Sequence, residues 1–241
     1  CSAGYYSKKG MDGIDLLIGS EGTLGIITEI DVSLIEKLPE RFIIVLFVSN
    51  KENIPEIIKK IKSEKEFLQL FSLEFFDSKA LEFLKSDFPE IPDNTCAIYC
   101  EGVSEIEKME RWAEIAEEIK VVDTMIGEDK QNYEKLIDFR HRLPDNVNAY
   151  FKKIGSVKVA VDAAVPEDKF PLMYNFYTEI IKQNTDLHMI LFGHIGENHL
   201  HFNLFPKDEK QKEKAWRIYE EAVKKAVSFG GTGFAEHGIG K

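Results

Sequence analysis

Between residues 41 and 127 the hydrophobic pattern switches repeatedly between the strand period of about two and the helix period of about 3.6. "RFIIVLFVSN" (41–50) is dense in β-branched and aromatic residues and reads as a strand. "KENIPEIIKKIKSEK" (51–65) carries Ile54, Ile57, Ile58 and Ile61 at helical spacing. A strand over 67–77, a short helix over 78–88 and a strand over 95–103 follow. The helix over 104–120 opens on Ser104 with Glu107 three residues later, the signature of a capping box. "VVDTMIG" (121–127) closes the series as a short strand.

A chain that alternates in this way, β-α-β, a helical insertion, then β-α-β, can bury its apolar faces as a split βαβ. The expected fold class is α+β: an antiparallel sheet with helices on one face, ferredoxin-like. The alternation then recurs. Helices are expected over 129–143, stopping near Pro144, over 166–184 and over 207–230. Strands are expected over 156–165, 187–195 and 199–205. Ahead of the series, "LLIGSEGTLGIITEIDVSLI" reads as a strand over Asp15–Ile18, a glycine-rich loop, and a strand over Ile26–Leu34. "EKLPER" (36–41) reads as a connector, so the boundary falls near residue 40.

The 241 residues, 44% hydrophobic and 30% charged, suffice for one large domain or two small ones. A net charge of −11 argues against a nucleic-acid surface, which needs clustered Lys and Arg. No apolar run reaches the ~20 residues that span a bilayer. No signal peptide opens the chain, and its few cysteines read as reduced, partly buried thiols of a cytoplasmic protein. Of the three cysteines, Cys96 and Cys100 lie on one expected strand, roughly 13 Å apart and too far for a disulfide. "CSAGYY" and "EHGIGK" read as sequence cut from within a longer protein.

Four segments carry chemistry. "FGHIGENHLHFNLF" (192–205) puts His194, His199 and His201 into eight positions. Strand alternation sends His199, His201 and Asn203 to one side, and a turn at Gly196 would bring His194 within reach. Imidazoles on adjacent strands suit a divalent ion such as Zn²⁺, although a single histidine of this kind can equally be a hydrogen-bonded, half-buried ring. "SFGGTGFAEHGIGK" (228–241) offers Glu236 and His237, a carboxylate ligand beside a base, in a backbone rich in glycine. Arg140, next to His141 and Arg142, could clamp a carboxylate with its two-pronged guanidinium. "GSEGTLG" (19–25) could offer N–H groups to phosphate oxygens, but it is neither a Walker A loop nor GxGxxG.

Five segments together, "GIDLLIGSEGTLGIITE", "FRHRLPDNVN", "VAVDAAVP", "FGHIGENHLHFN" and "GGTGFAEHGIGK", run in one order from near residue 4 to residue 241. In that order they resemble the FAD-linked oxidases of the vanillyl-alcohol oxidase type, nearest to the glycolate oxidase and D-lactate (D-2-hydroxyacid) dehydrogenase group. The resemblance implies that residues 1–40 are the end of an FAD-binding domain and that 41–241 are a substrate-binding cap. It implies that Ser20, Glu21, Gly22, Gly25 and Ile27 lie against FAD, and that His194, His201 and Glu236 hold a divalent metal such as Zn²⁺. His237 then matches the active-site base, Asn203 the polar residue after the second ligand, and Arg140 the arginine that takes the substrate carboxylate.

Two departures stand out. His199 occupies a place where the family's motif carries Asn, and Ala160 stands where some relatives carry Lys. The family's earlier pyrophosphate loop is not in these residues. The implied activity is oxidation of a D-2-hydroxy acid, such as glycolate or D-lactate, to the 2-keto acid. An electron-acceptor protein or quinone, and a homodimer, are compatible partners. A zinc-dependent hydrolase using the same ligands and a non-catalytic ferredoxin-like binding module are the alternatives.

Overall fold

A computed structural model describes residues 4–49 and 53–237. Its elements run α1 (Gly13–Leu17), β1 (Arg41–Ser49), α2 (Ile54–Ser63), α3 (Lys65–Leu68), β2 (Ser72–Phe76), α4 (Ser78–Glu82), β3 (Thr95–Val103) and α5 (Ile106–Glu118). They continue with β4 (Asp123–Gly127), α6 (Lys130–Ile154), β5 (Val159–Ala164), α7 (Phe170–Gln183), β6 (His188–Gly193), β7 (His199–Phe205) and α8 (Glu209–Ser228). All seven strands form one sheet in the order β4-β1-β3-β2-β6-β7-β5. Every pairing within it is antiparallel.

The first four strands have the order 4-1-3-2 of a split βαβ, as the alternating periods predict. β5, α7, β6, β7 and α8 repeat most of that layout, with β6 against β2 joining the halves. The stub at Thr232 and Phe234 bridges β5 where a fourth strand of the second half would lie.

One face of the sheet carries the expected helical layer. Ile54, Ile57, Ile58 and Ile61 of α2 and Trp112 and Ile115 of α5 pack on Ile44, Leu46 and Ile98. Met173 and Tyr177 of α7 and Ile218 and Ala222 of α8 pack with Val161, Phe202 and Leu204. A second layer covers part of the other face: α4 and α6 pack on Ile43, Val45, Tyr99, Phe76 and Ile190. Its cover is mostly over the first half of the sheet. The pair of strands β7 and β5 keeps His201 and Asp162 beyond that layer.

Several local expectations change. α6 does not stop at Pro144 but runs through it to Ile154. Its buried stripe Leu136, Phe139, Leu143, Val147 and Phe151 is unbroken across the proline, and that packing outweighs one lost backbone hydrogen bond. Ser104 does not cap α5: the N-cap is Glu105, without a side-chain cap bond, while the Ser104 amide donates to the Glu40 carbonyl. Asp15–Ile18 is not a strand. Asp12 accepts from the amides of Ile14 and Asp15, and Asp15 accepts from Asp12, a capping box that starts α1. Residues 26–34 form no strand among the described residues, because no neighbour supplies a ladder. Their side chains Ile26, Ile30, Val32 and Leu34 are exposed. Cys96 and Cys100 are buried, free and on one strand, as read from their spacing. Cys1 lies outside the described residues.

Candidate functional site

The hairpin β6–β7 builds the site. His201 pairs across to Phe192 on one side and to Asp162 of β5 on the other. The link between the strands is a single 3-10 turn, Ile195–Glu197, closed by amides of Glu197 and His199 on the His194 carbonyl. The left-handed residue that lets the chain reverse is Asn198, with φ of 57°, not Gly196. Gly196 is needed for a different reason: a Cβ there would stand 3.0 Å from the Leu73 Cβ. Gly193, with φ of 120°, leaves the space that the His201 ring fills.

Strand alternation and the turn bring the three histidines together as expected. Ring centroids lie 4.7 Å apart for His199 and His201 and 5.3 Å apart for His194 and His201. The segment after α8 then crosses this cluster. Glu236 Oε2 is 3.2 Å from His194 Nε2 and 3.7 Å from His201 Nε2. The His237 ring centroid is 5.2 Å from that of His201. Donor atoms of Asp162, His201, Glu236 and His237 converge within 4.8 Å of one another, as do those of His194, His199 and Glu236.

Two buried carboxylates hold this arrangement, and neither stands out in the sequence reading. Asp162 accepts the amides of Glu236 and His237 on Oδ2 at 2.9 and 2.8 Å, and His199 Nε2 lies 2.7 Å from its Oδ1. Burial works to raise the Asp162 pKa, but the two amides and His199 outweigh it and hold the carboxyl below its usual range. Glu74 lies 2.9 Å from His194 Nδ1 and 2.6 Å from Arg140 Nη2, and accepts from Ser72 Oγ at 2.9 Å. Burial again works upward, but His194, Arg140 and Ser72 bring the Glu74 carboxyl below its ordinary value. The signal was available: each is the lone acid in an apolar strand, and a buried charge needs partners.

His194 and His201 are shifted in opposite directions. The hydrogen bond to Glu74 raises the His194 pKa despite burial. Burial, with His199, His194 and His237 nearby, pushes His201 down to about 3, so its ring is neutral and free to offer a lone pair. Asn203 is buried one pleat further along β7, between Ile190 and Ala160 in the sheet. Arg140 reaches the cluster from α6 through Glu74, and it also lines the cleft with Glu74, His194, His199 and Glu236. That cleft measures about 1380 Å³, more than the ~300–1,000 Å³ of most small-molecule sites.

The loop at 19–25 is not part of this cleft's lining. Gly19, Glu21 and Gly22 all have positive φ, and Ser20 is buried while Glu21, Gly22, Gly25 and Ile27 are exposed. No heavy atom lies within 4 Å of where a Cβ would stand on Gly19, Gly22 or Gly25, so a ligand can approach that backbone.

The described residues thus form one antiparallel α+β sheet with a histidine–carboxylate cluster on its partly uncovered face. Residues 39–241 match the FAD linked oxidases, C-terminal domain, and the chain belongs to that family. It is 25% identical over 251 residues to a D-2-hydroxyglutarate dehydrogenase of Xanthomonas citri pv. viticola, covering 97% of this chain and 50% of the relative. It is 28% identical over 240 residues to the glycolate oxidase subunit GlcD of Bacillus subtilis, covering 96% and 50%. The chain thus spans about half the length of these curated relatives. In fold it is similar to an alkyldihydroxyacetonephosphate synthase, with a TM-score of 0.58 at 14% identity, over 94% of this chain and 46% of that one. The family expected from the five ordered segments is the family found. Among the described residues no helix is long and apolar enough to cross a membrane.

Proposed function

We propose that the protein of which this chain is the cap-bearing part oxidises a D-2-hydroxy acid to its 2-keto acid with FAD, and that this chain supplies the substrate and ion site. The observation that carries the reading is the approach of one carboxylate oxygen, Glu236 Oε2, to within 3.2 and 3.7 Å of the Nε2 atoms of two histidines, His194 just after β6 and His201 on β7. Two imidazole nitrogens and a carboxylate are a divalent-ion donor set of the catalytic kind, which leaves a position for substrate. The Nδ1 of His194 rests on Glu74, the backing that ion-binding histidines typically have. His194, His201 and Glu236 would hold the ion. Ser20, Glu21, Gly22, Gly25 and Ile27 would contact FAD, for which the open glycine backbone is suited. Residues 1–40 would close the flavin domain and 41–241 form the cap.

The chemistry those groups supply when bound is hydride acceptance by the flavin and polarisation of the substrate hydroxyl by the ion. The chain's own residues do the rest. Arg140 binds the substrate carboxylate and orients Cα. An imidazole nitrogen of His237 takes the hydroxyl proton, and the amide that anchors His237 to Asp162 fixes where that ring hangs. Asn203, buried on the same face of β7 as His201, would offer its amide to the site. The reducing equivalents then pass to an acceptor protein or quinone. The buried free thiols of Cys96 and Cys100 suit a reducing cytoplasm.

His201→Ala tests the reading. Elemental analysis should find the divalent metal lost from the purified variant, and turnover of a D-2-hydroxy acid should fall with it. Activity retained with no metal bound would remove the ion from the mechanism.

A further inference from the structure

Glu74 stands between Arg140 and His194. Its side chain is 5% exposed. Arg140 Nη2 approaches Oε1 at 2.6 Å, Ser72 Oγ donates to the same oxygen at 2.9 Å, and His194 Nδ1 lies 3.1 Å from Oε1 and 2.9 Å from Oε2. Arg140 comes from α6, which covers the first half of the sheet, and His194 from the end of β6 in the second half. One buried carboxylate therefore ties the proposed anion clamp to a proposed ion ligand across the joint between halves.

We propose that Glu74 is a positioning residue shared by His194 and Arg140, so that the ion site and the anion site are energetically linked through it. The inference rests on the functional reading given above. An acceptor approached by several strong donors satisfies each less fully than it would satisfy one alone. His194 Nδ1 sits nearer Oε2, at 2.9 Å, than Oε1, at 3.1 Å, where Arg140 Nη2 is already bonded at 2.6 Å. Whatever draws the guanidinium away, a substrate carboxylate above all, leaves Glu74 more completely to His194. That orients the ring and makes its Nε2 a better donor. Coupling of this kind is reciprocal: an ion on His194 Nε2 polarises its Nδ1–H toward Glu74 and releases Arg140 for an incoming anion.

The test measures Zn²⁺ affinity by competition with a chromophoric chelator, on protein whose far-UV circular dichroism matches wild type. Glu74→Gln keeps the shape and removes the charge, and should weaken Zn²⁺ binding by about 10–100-fold. Arg140→Ala removes the competitor and should tighten it by roughly three- to tenfold. This second variant lies on the half-exposed side of α6 and tests the idea even if Glu74→Gln does not fold. In the double variant the gain from Arg140→Ala should shrink, which simple removal of a nearby positive charge would not produce. Wild-type affinity in folded Glu74→Gln, weaker or unchanged binding in Arg140→Ala, or an equal gain with and without Glu74 overturns the linkage. Failure of wild type to bind Zn²⁺ at all overturns the underlying functional reading, and this inference with it.

Discussion

Gly193→Ala should damage stability and ion binding together, for one geometric reason. The residue ends β6 with φ of 120°, a conformation that L side chains rarely adopt. Holding alanine there costs about 1–3 kcal/mol. Its Cβ would also stand 2.8 Å from His201 Cδ2 and 3.4 Å from His201 Nε2 and the His201 amide nitrogen. The amide is fixed in the β6–β7 ladder, so the ring is what must move, from 2.8 Å to at least 3.4 Å, where ordinary contact begins. Displacing a packed side chain in this way adds about 1–3 kcal/mol. The combined loss of roughly 2–6 kcal/mol lowers Tm by roughly 5–20 °C for a chain of this size. The ring displacement exceeds the ~0.2 Å within which metal–ligand distances are held, so Zn²⁺ affinity falls as well. Thermal unfolding and chelator competition on the same preparation read both effects. Gly196→Ala is the comparison. Its φ is not positive and its new Cβ meets Leu73 at 3.0 Å, so it should cost about 1 kcal/mol and leave the ion site intact. A Gly193→Ala protein with wild-type Tm and wild-type Zn²⁺ affinity would refute the reasoning.

Three further outcomes follow from single positions. Asp162→Ala removes the acceptor for the Glu236 and His237 amides, and denaturant unfolding should show a loss of about 2–4 kcal/mol, with Zn²⁺ affinity falling as Glu236 loses its seat. Burial raises the Asp77 pKa to about 7, from about 3.9 in an unfolded chain. Its stability contribution is therefore full below about pH 4 and is lost as pH rises through about 7. Asp77→Ser keeps an N-cap hydroxyl on α4 without the titration, so urea titrations should show the variant gaining on wild type by roughly 4 kcal/mol between about pH 4 and pH 8. Pro144→Ala restores an amide to α6 at an exposed position and should raise stability by about 1–3 kcal/mol in thermal unfolding.

The parts of the fold legible in the sequence are those in which one element's pattern determines its own burial. The isoleucines of α2 and the alternation of "HLHFN" each specify a face without reference to the rest of the chain, and both faces are buried or displayed as read. Family membership was legible too, because five ordered segments constrain one another as no single motif does. What was not legible depends on a distant partner. Ser104 and Glu107 have capping-box spacing, but the Ser104 amide is taken by the Glu40 carbonyl, and the helix starts two residues later. Pro144 is a stop signal in isolation, and only the packing of Leu143 and Val147 against the sheet carries the helix past it. Ile26–Leu34 has strand composition, yet a strand exists only where a neighbour accepts its hydrogen bonds. In the site, the ion-binding candidates were visible as histidines, whereas Glu74 and Asp162 drew no attention because their importance lies in what three other segments bring to them.

The position of the site follows from an asymmetry between similar halves. Both halves put a layer of helices on the same face of the continuous sheet, but α6 lies on the opposite face mainly over the first half. There Tyr99, Val45 and Phe76 are covered by Leu136, Phe139 and Leu143, and the face is core. At β7 and β5 in the second half, the same face carries His199, His201 and Asp162, and the crossing segment is the polar stretch 235–237 instead of an apolar helix. A buried apolar helix here would take from His201 and the Asp162 carboxylate the partners that residues 236 and 237 supply, at about 1–3 kcal/mol for each unsatisfied group. The polar face and the absence of a helical cover therefore require each other. α6 meets the second half away from the site, where Phe151 stacks on Phe205 at the end of β7, and reaches the site itself through Arg140 on Glu74. A substitution that lengthened the apolar stripe of α6 toward β7 would thus be expected to close the cleft and expel the ion, not to strengthen the core.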